Sequence, residues 1–72
     1  IITHSIKDKV KIAIRKFENN PFDPNLKNHP LKGSMQERRS FSVTGDVRII
    51  FEEYDNYVLV VFVDLGTHNQ VY

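Results

Sequence analysis

The spacing of the apolar residues changes once along this 72-residue chain, and no other feature limits its fold as much. Up to Phe17 the period is helical: Ile6, Val10, Ala13, Ile14 and Phe17 fall on one face, while Lys and Asp occupy the other. From Arg38 onward the period is two. Phe41 and Val43 alternate with Ser40, Ser42 and Thr44, and Val47, Ile49 and Phe51 alternate with Arg48, Ile50 and Glu52. The expectation is an α+β fold: one N-terminal helix, a three-stranded antiparallel β-meander, and a short extended C-terminal tail.

Local signals set the boundaries. Ser5 with Asp8 three residues on fits a capping pair, and an acid in the first turn suits the helix dipole. The helix should end at Asn19 or Asn20, since Pro21 biases the residue before it away from helical geometry. Residues 20–36 hold Pro21, Pro24, Pro30 and Gly33 around the apolar anchors Phe22, Leu26, Leu31 and Met35, which reads as an ordered connection. Within it a short helical turn over Pro24 to Lys27, capped by Asp23, is expected. Thr44-Gly45-Asp46 makes the first hairpin turn and Asp55-Asn56 the second. Tyr57 to Asp64 is almost continuously apolar and reads as a central strand buried on both faces, which Gly66 then breaks.

Composition narrows the function classes. A chain of this length buries only about 60% of the surface its unfolded form exposes, so residues 1–72 are expected to form one small domain with a modest core. With no Cys there is no disulfide framework, thiolate nucleophile or cysteine metal site, and a reducing cytoplasm is the expected setting. The longest apolar run, Tyr57 to Val63, is far shorter than the roughly 18–20 residues that span a bilayer, and no signal peptide is visible. Ile1 in place of Met suggests processing or a longer parent chain, with Ile1 and Ile2 the remnant of an earlier element.

The net charge of +1 is the sum of two unlike halves. Residues 1–48 carry all ten Lys and Arg against five acids, a net of +5, and the last 24 residues carry four acids and no base, a net of −4. A basic front can face phosphates. The same Lys7, Lys9, Lys11, Arg15 and Lys16 also read as the solvated side of a helix, and charge alone leaves both readings open.

Three His residues occur, with no HxH, HExxH or Cys pair to build a metal centre. His4 precedes the helix cap and reads as an exposed residue. His29, between Asn28 and Pro30, and His68, after Gly66-Thr67, each sit in local structure that would hold them still. Asp46 at the hairpin tip and Tyr72 at the end of the chain are the other polar candidates. A His can move protons near neutral pH and a carboxylate beside it can orient it. Turn aspartates and surface histidines are also ordinary, so spacing alone does not separate catalysis from a plain surface.

The run His29-Pro30-Leu31-Lys32-Gly33, then Arg39, then Val43-x-x-Asp46 with Arg48-Ile49-Ile50-Phe51, and finally Gly66-Thr67-His68-Asn69-Gln70-Val71-Tyr72, resembles the YafQ branch of the RelE/ParE toxin superfamily. The match covers about residues 20–72 in order and spacing. The resemblance implies an mRNA endoribonuclease of a type II toxin-antitoxin system that works in the ribosomal A site and is neutralised by a cognate antitoxin. The implied chemistry is attack of the ribose 2′-OH on the adjacent phosphate, leaving a 2′,3′-cyclic phosphate and a 5′-OH, without metal or other cofactor. Such a reaction needs a base, an acid and cations for the phosphate charge. Carried over by position, His68 is the general acid, Asp46 the base or the orienter of a base, His29 a proton-transfer or phosphate-binding group, and Tyr72 a residue that stacks on a base or positions the RNA. Lys32, Arg39 and Arg48 are expected at phosphates, with Ser42 beside the RNA.

Two positions depart from the branch. Ser42 stands where the hairpin strand has a further His, and Asp64 where an Arg shortly precedes Gly-Thr-His; Ser cannot titrate near pH 7 and Asp repels phosphate. These departures support an alternative, a weak or inactive homologue acting by binding antitoxin or, as in the ParE branch, DNA gyrase. The family's usual first strand and helix are expected to be missing ahead of Ile1. A sheet lacking that strand would leave an edge for another chain, in a homodimer or a toxin–antitoxin heterotetramer.

Overall fold

The computed structural model describes residues 4–31 and 38–67, with only the backbone of His4 and Ser5. Lys32, Gly33, Met35, His68, Tyr72 and the expected C-terminal tail lie outside the described residues. Helix α1 runs His4–Asn19, a 3-10 turn covers Pro24–Leu26, and four strands follow: β1 His29–Pro30, β2 Arg38–Ser42, β3 Val47–Tyr54 and β4 Leu59–Thr67. They form one antiparallel sheet in the order β1-β2-β3-β4. Among the described residues no helix is long and apolar enough to cross a membrane.

The helix already includes His4 and Ser5, so Ser5 lies within it rather than capping it, and its first turn has no acid. The other end falls where expected: Asn20 N donates to Lys16 O, and the Asn20 side chain then accepts from Phe22 N at 3.0 Å, turning the chain out of the helix at Pro21. Asp23 accepts from Asn25 N at 2.9 Å and caps the 3-10 turn, with Pro24 at its first position. The turn drives Leu26 into the core and ends on Lys27, left-handed at φ 50°.

Packing converges on Phe17. Its ring centroid lies 4.5 Å from that of Phe41 and 4.8 Å from that of Phe51, and Ala13, Leu26 and Ile49 close the cluster. Each buried Phe, Leu or Ile of the cluster contributes about 1.5–3 kcal/mol relative to exposure. The turn between β3 and β4 places Asp55, Asn56 and Tyr57 in succession at positive φ. Asp and Asn tolerate this conformation, but Tyr57, at φ 71°, is strained and is held by its neighbours. Its ring packs edge-on against Phe22 at 5.1 Å and its N–H donates to Glu53.

Three expectations are corrected. The sheet has four strands, because His29 and Pro30 pair with Ser40 and Arg39. The apolar strand is not central: β4 pairs only with β3 among the described residues, and Leu59, Val61, Phe62 and Val63 are exposed. Its apolar character reports a surface that wants cover, not cover that exists. Gly66 does not break the strand; it pairs with Arg48, and β4 continues to Thr67. Beside this open edge, a groove of about 470 Å³ runs between α1 and β4, walled by Val10, Ile14, Phe62 and Leu65 and flanked by Lys7 and Lys11.

Candidate functional site

Strand parity sorts the candidates onto two faces. On β2, Phe41 points at Phe17, so Ser40 and Ser42 point away from the helix, and Arg39 shares the helix-facing side. Ser42 lies opposite Arg48, Ser40 opposite Ile50 and also opposite His29, and Ile50 opposite Asp64. One sheet face therefore carries His29, Ser40, Ser42, Arg48 and Asp64 together.

The middle of that face is a hydrogen-bonded chain. Arg48, only 3% exposed, donates from Nε to Ser40 Oγ at 3.0 Å and from Nη2 to the Lys27 carbonyl at 2.8 Å. Ser40 is fully buried, and its Oγ lies 3.5 Å from His29 Nε2. His29 Nδ1 lies 2.9 Å from the Pro30 carbonyl oxygen. A buried guanidinium is tolerated only when its N–H groups are satisfied, and here they draw the segment before β1 onto the sheet.

Asp46 stands at the rim. The Thr44 hydroxyl oxygen accepts from Asp46 N at 3.1 Å and Val47 N at 3.0 Å, which fixes the turn backbone while Asp46 remains exposed. Ser42 Oγ donates to the Thr44 carbonyl at 2.7 Å, committing its hydrogen to the same turn. Arg39, on the other face, donates from Nε to Asn28 Oδ1 at 2.8 Å. Asn28 in turn donates to Pro21 O at 3.1 Å and to the Tyr57 hydroxyl at 3.0 Å. Asp64 is exposed and accepts from Leu65 N at 2.7 Å. Farther along the same face Glu52 accepts from the Tyr54 hydroxyl at 2.8 Å and from Arg38 at 3.1 Å, which together hold its carboxyl below the usual range.

The structure thus brings His29, Ser42 and Arg48 to one face, puts Asp46 at its edge and Arg39 behind it. Ser40 and Asn28 were not among the sequence candidates. The signal for Ser40 was its place in the same alternation as Ser42, but only the pairing of β1 with β2 sets it against His29.

A helix packed on one side of an open antiparallel sheet, with polar residues gathered on the other side, is the RelE-like toxin fold. YafQ from Escherichia coli strain BL21(DE3) superposes with a TM-score of 0.71 at 28% identity, covering 92% of this chain and 73% of that one. A conserved hypothetical protein from Helicobacter pylori, HP0894, gives 0.65 at 29% identity over 92% and 70% of the two chains. A YoeB/ParE toxin from Agrobacterium tumefaciens shares the fold, with a TM-score of 0.67 at 23% identity over 89% and 75%. No curated protein matches. Residues 3–72 match the family described as bacterial toxin of type II toxin-antitoxin system, YafQ, and the chain belongs to that family. Membership implies an antitoxin partner.

Proposed function

We propose that this toxin is a ribosome-dependent mRNA endoribonuclease, one domain over residues 1–72, that cleaves by 2′-OH attack on the adjacent phosphate without a metal. The observation that carries the reading is the fixed placement of His29 on a polar sheet face above a buried cation, in a chain of a type II toxin family. A held imidazole can move a proton or bind phosphate, and a cation lowers the cost of the charge that develops on phosphorus. His68 serves as general acid, Asp46 as base or orienter of a base, and Tyr72 stacks on the RNA. Lys32 and Ser42 contact the strand, Arg48 adds positive potential from beneath the face, and Arg39, expected at a phosphate, instead holds Asn28 from behind the face. The toxin acts in the cytoplasm, held inactive by its antitoxin in a heterotetramer or as a homodimer.

Mapping mRNA ends by primer extension after induced expression tests this reading. Cuts in codon register together with growth arrest, both lost in His68→Ala, are the expected result. Unchanged toxicity in that variant would sink the catalytic assignment.

A second reading is favoured by the Ser42 hydroxyl being committed to Thr44 and by the carboxylate at Asp64. Under it the chain is a weak or inactive homologue that binds antitoxin or, like ParE, DNA gyrase. Growth arrest without mRNA cleavage would support it.

A further inference from the structure

The chain of hydrogen bonds at His29 has a direction that the donors themselves impose. Arginine has no acceptor, so Arg48 Nε–H donates and Ser40 Oγ accepts at 3.0 Å. The main-chain carbonyl of Pro30 can only accept, so at 2.9 Å the hydrogen belongs to His29 Nδ1. In the neutral ring Nε2 then carries the lone pair, and the single Ser40 hydrogen points to it across 3.5 Å, a long contact of the correct polarity. This assignment gives every one of these contacts a donor and an acceptor, and runs Arg48 to Ser40 to His29 to Pro30.

We infer that Ser40 is a positioning residue for His29: it passes the orientation of the buried Arg48 guanidinium to the ring and, together with the Pro30 carbonyl, holds His29 as the Nδ1–H tautomer, with Nε2 as its proton-accepting nitrogen. Three features of the fold support this. Ser40 and His29 are direct cross-strand partners, so the contact is set by sheet register. Ser40 is fully buried and Arg48 nearly so, which leaves the pair little freedom to turn elsewhere. Arg48 also grips the Lys27 carbonyl two residues before His29, fixing the ring's backbone and its Nε2 partner through one guanidinium. The free imidazole favours the opposite tautomer, with the proton on Nε2, so the arrangement is a departure the protein imposes.

The functional consequence rests on the proposed ribonuclease reading, in which His29 takes part in proton transfer or phosphate binding. With Nδ1–H tied to Pro30, Nε2 is the nitrogen left to receive a proton from RNA, giving up its long 3.5 Å contact with Ser40 as it does so, and only after protonation can it donate one to a phosphate oxygen. The tautomer itself is independent of RNA.

Two readouts separate these levels. In the free protein, long-range 1H–15N imidazole spectra should show His29 as Nδ1–H in the wild type and shifted toward Nε2–H in Ser40→Ala, with Ser40→Thr, which keeps the hydroxyl, restoring the wild-type pattern. A wild-type His29 protonated on Nε2 overturns the inference on its own, whether or not the variants fold, and so does an unchanged spectrum in a folded Ser40→Ala. In ribosome-dependent cleavage, Ser40→Ala should lose roughly tenfold to a hundredfold in rate, the usual cost of releasing a functional His from its outer partner. A folded Ser40→Ala that shows the shifted tautomer yet cleaves at the wild-type rate overturns the positioning role. Absence of cleavage by the wild type would count against the ribonuclease reading instead and leave the spectra to decide the tautomer.

Discussion

The Asn28 side chain donates to the Tyr57 hydroxyl at 3.0 Å across 29 positions of sequence, tying the segment that carries His29 to the turn between β3 and β4. The same amide donates to Pro21 O and accepts from Arg39. Removing it in Asn28→Ala leaves part-buried partners unsatisfied and should cost about 1–3 kcal/mol in denaturant unfolding. Combined with Tyr57→Phe, it should show a coupling of about 0.5–1.5 kcal/mol in a double-mutant cycle. Strict additivity of the two would mean that this bond does not hold the loop.

Phe17 is the hub of the core, and Phe17→Ala removes a ring packed on both Phe41 and Phe51. The expected loss is about 3–5 kcal/mol, close to all the stability that a core of this size supplies. Circular dichroism at 25 °C should then show no cooperative unfolding transition. A sharp transition would place the weight of the core elsewhere.

Lys27 adopts φ 50° with a Cβ that the left-handed region disfavours. Its carbonyl, not its side chain, accepts from Arg48, so Lys27→Gly keeps that bond. The variant should be more stable by about 0.5–1 kcal/mol, read as a higher denaturant midpoint at constant slope. A lower midpoint would show that the Lys27 side chain contributes to the native state.

Glu52 has its carboxyl lowered first by the Tyr54 hydroxyl and then by Arg38. A carboxyl lowered on folding adds stability above its unfolded value, about 4.3, and loses it as pH falls through the folded value. The wild type should therefore melt above Glu52→Gln at neutral pH, and the difference should close in acid. A difference that persists at low pH would assign the effect to packing rather than charge.

How far the sequence revealed these features depended on how local the signal was. The end of α1 at Asn19, the Asp23-Pro24 cap and the Thr44-Gly45-Asp46 turn were legible because each rests on the backbone chemistry of a few adjacent residues. The strand His29–Pro30 was not, since two residues have no periodicity and become a strand only by pairing with Ser40 and Arg39. The place of β4 was misread because an apolar run such as Leu59 to Val63 records a demand for burial without naming the neighbour that meets it. At the site, alternation put Arg48 and Ser42 on the polar side correctly. It could not show that Arg48 is buried, because that depends on the Lys27 carbonyl, 21 positions away. Ser40 escaped notice for the same reason, being an ordinary strand serine until β1 brings His29 opposite it.

The proposed reaction is RNA cleavage in which a held His29 acts with Asp46 and His68. Incubating purified protein with ribosomes carrying mRNA in the A site, and reading the chemistry of the new ends, tests it most directly. The wild type should leave 2′,3′-cyclic phosphate and 5′-OH ends, and His29→Ala of unchanged fold should cleave at least about a hundredfold more slowly. Equal cleavage by wild type and His29→Ala, or ends of any other chemistry, would contradict it.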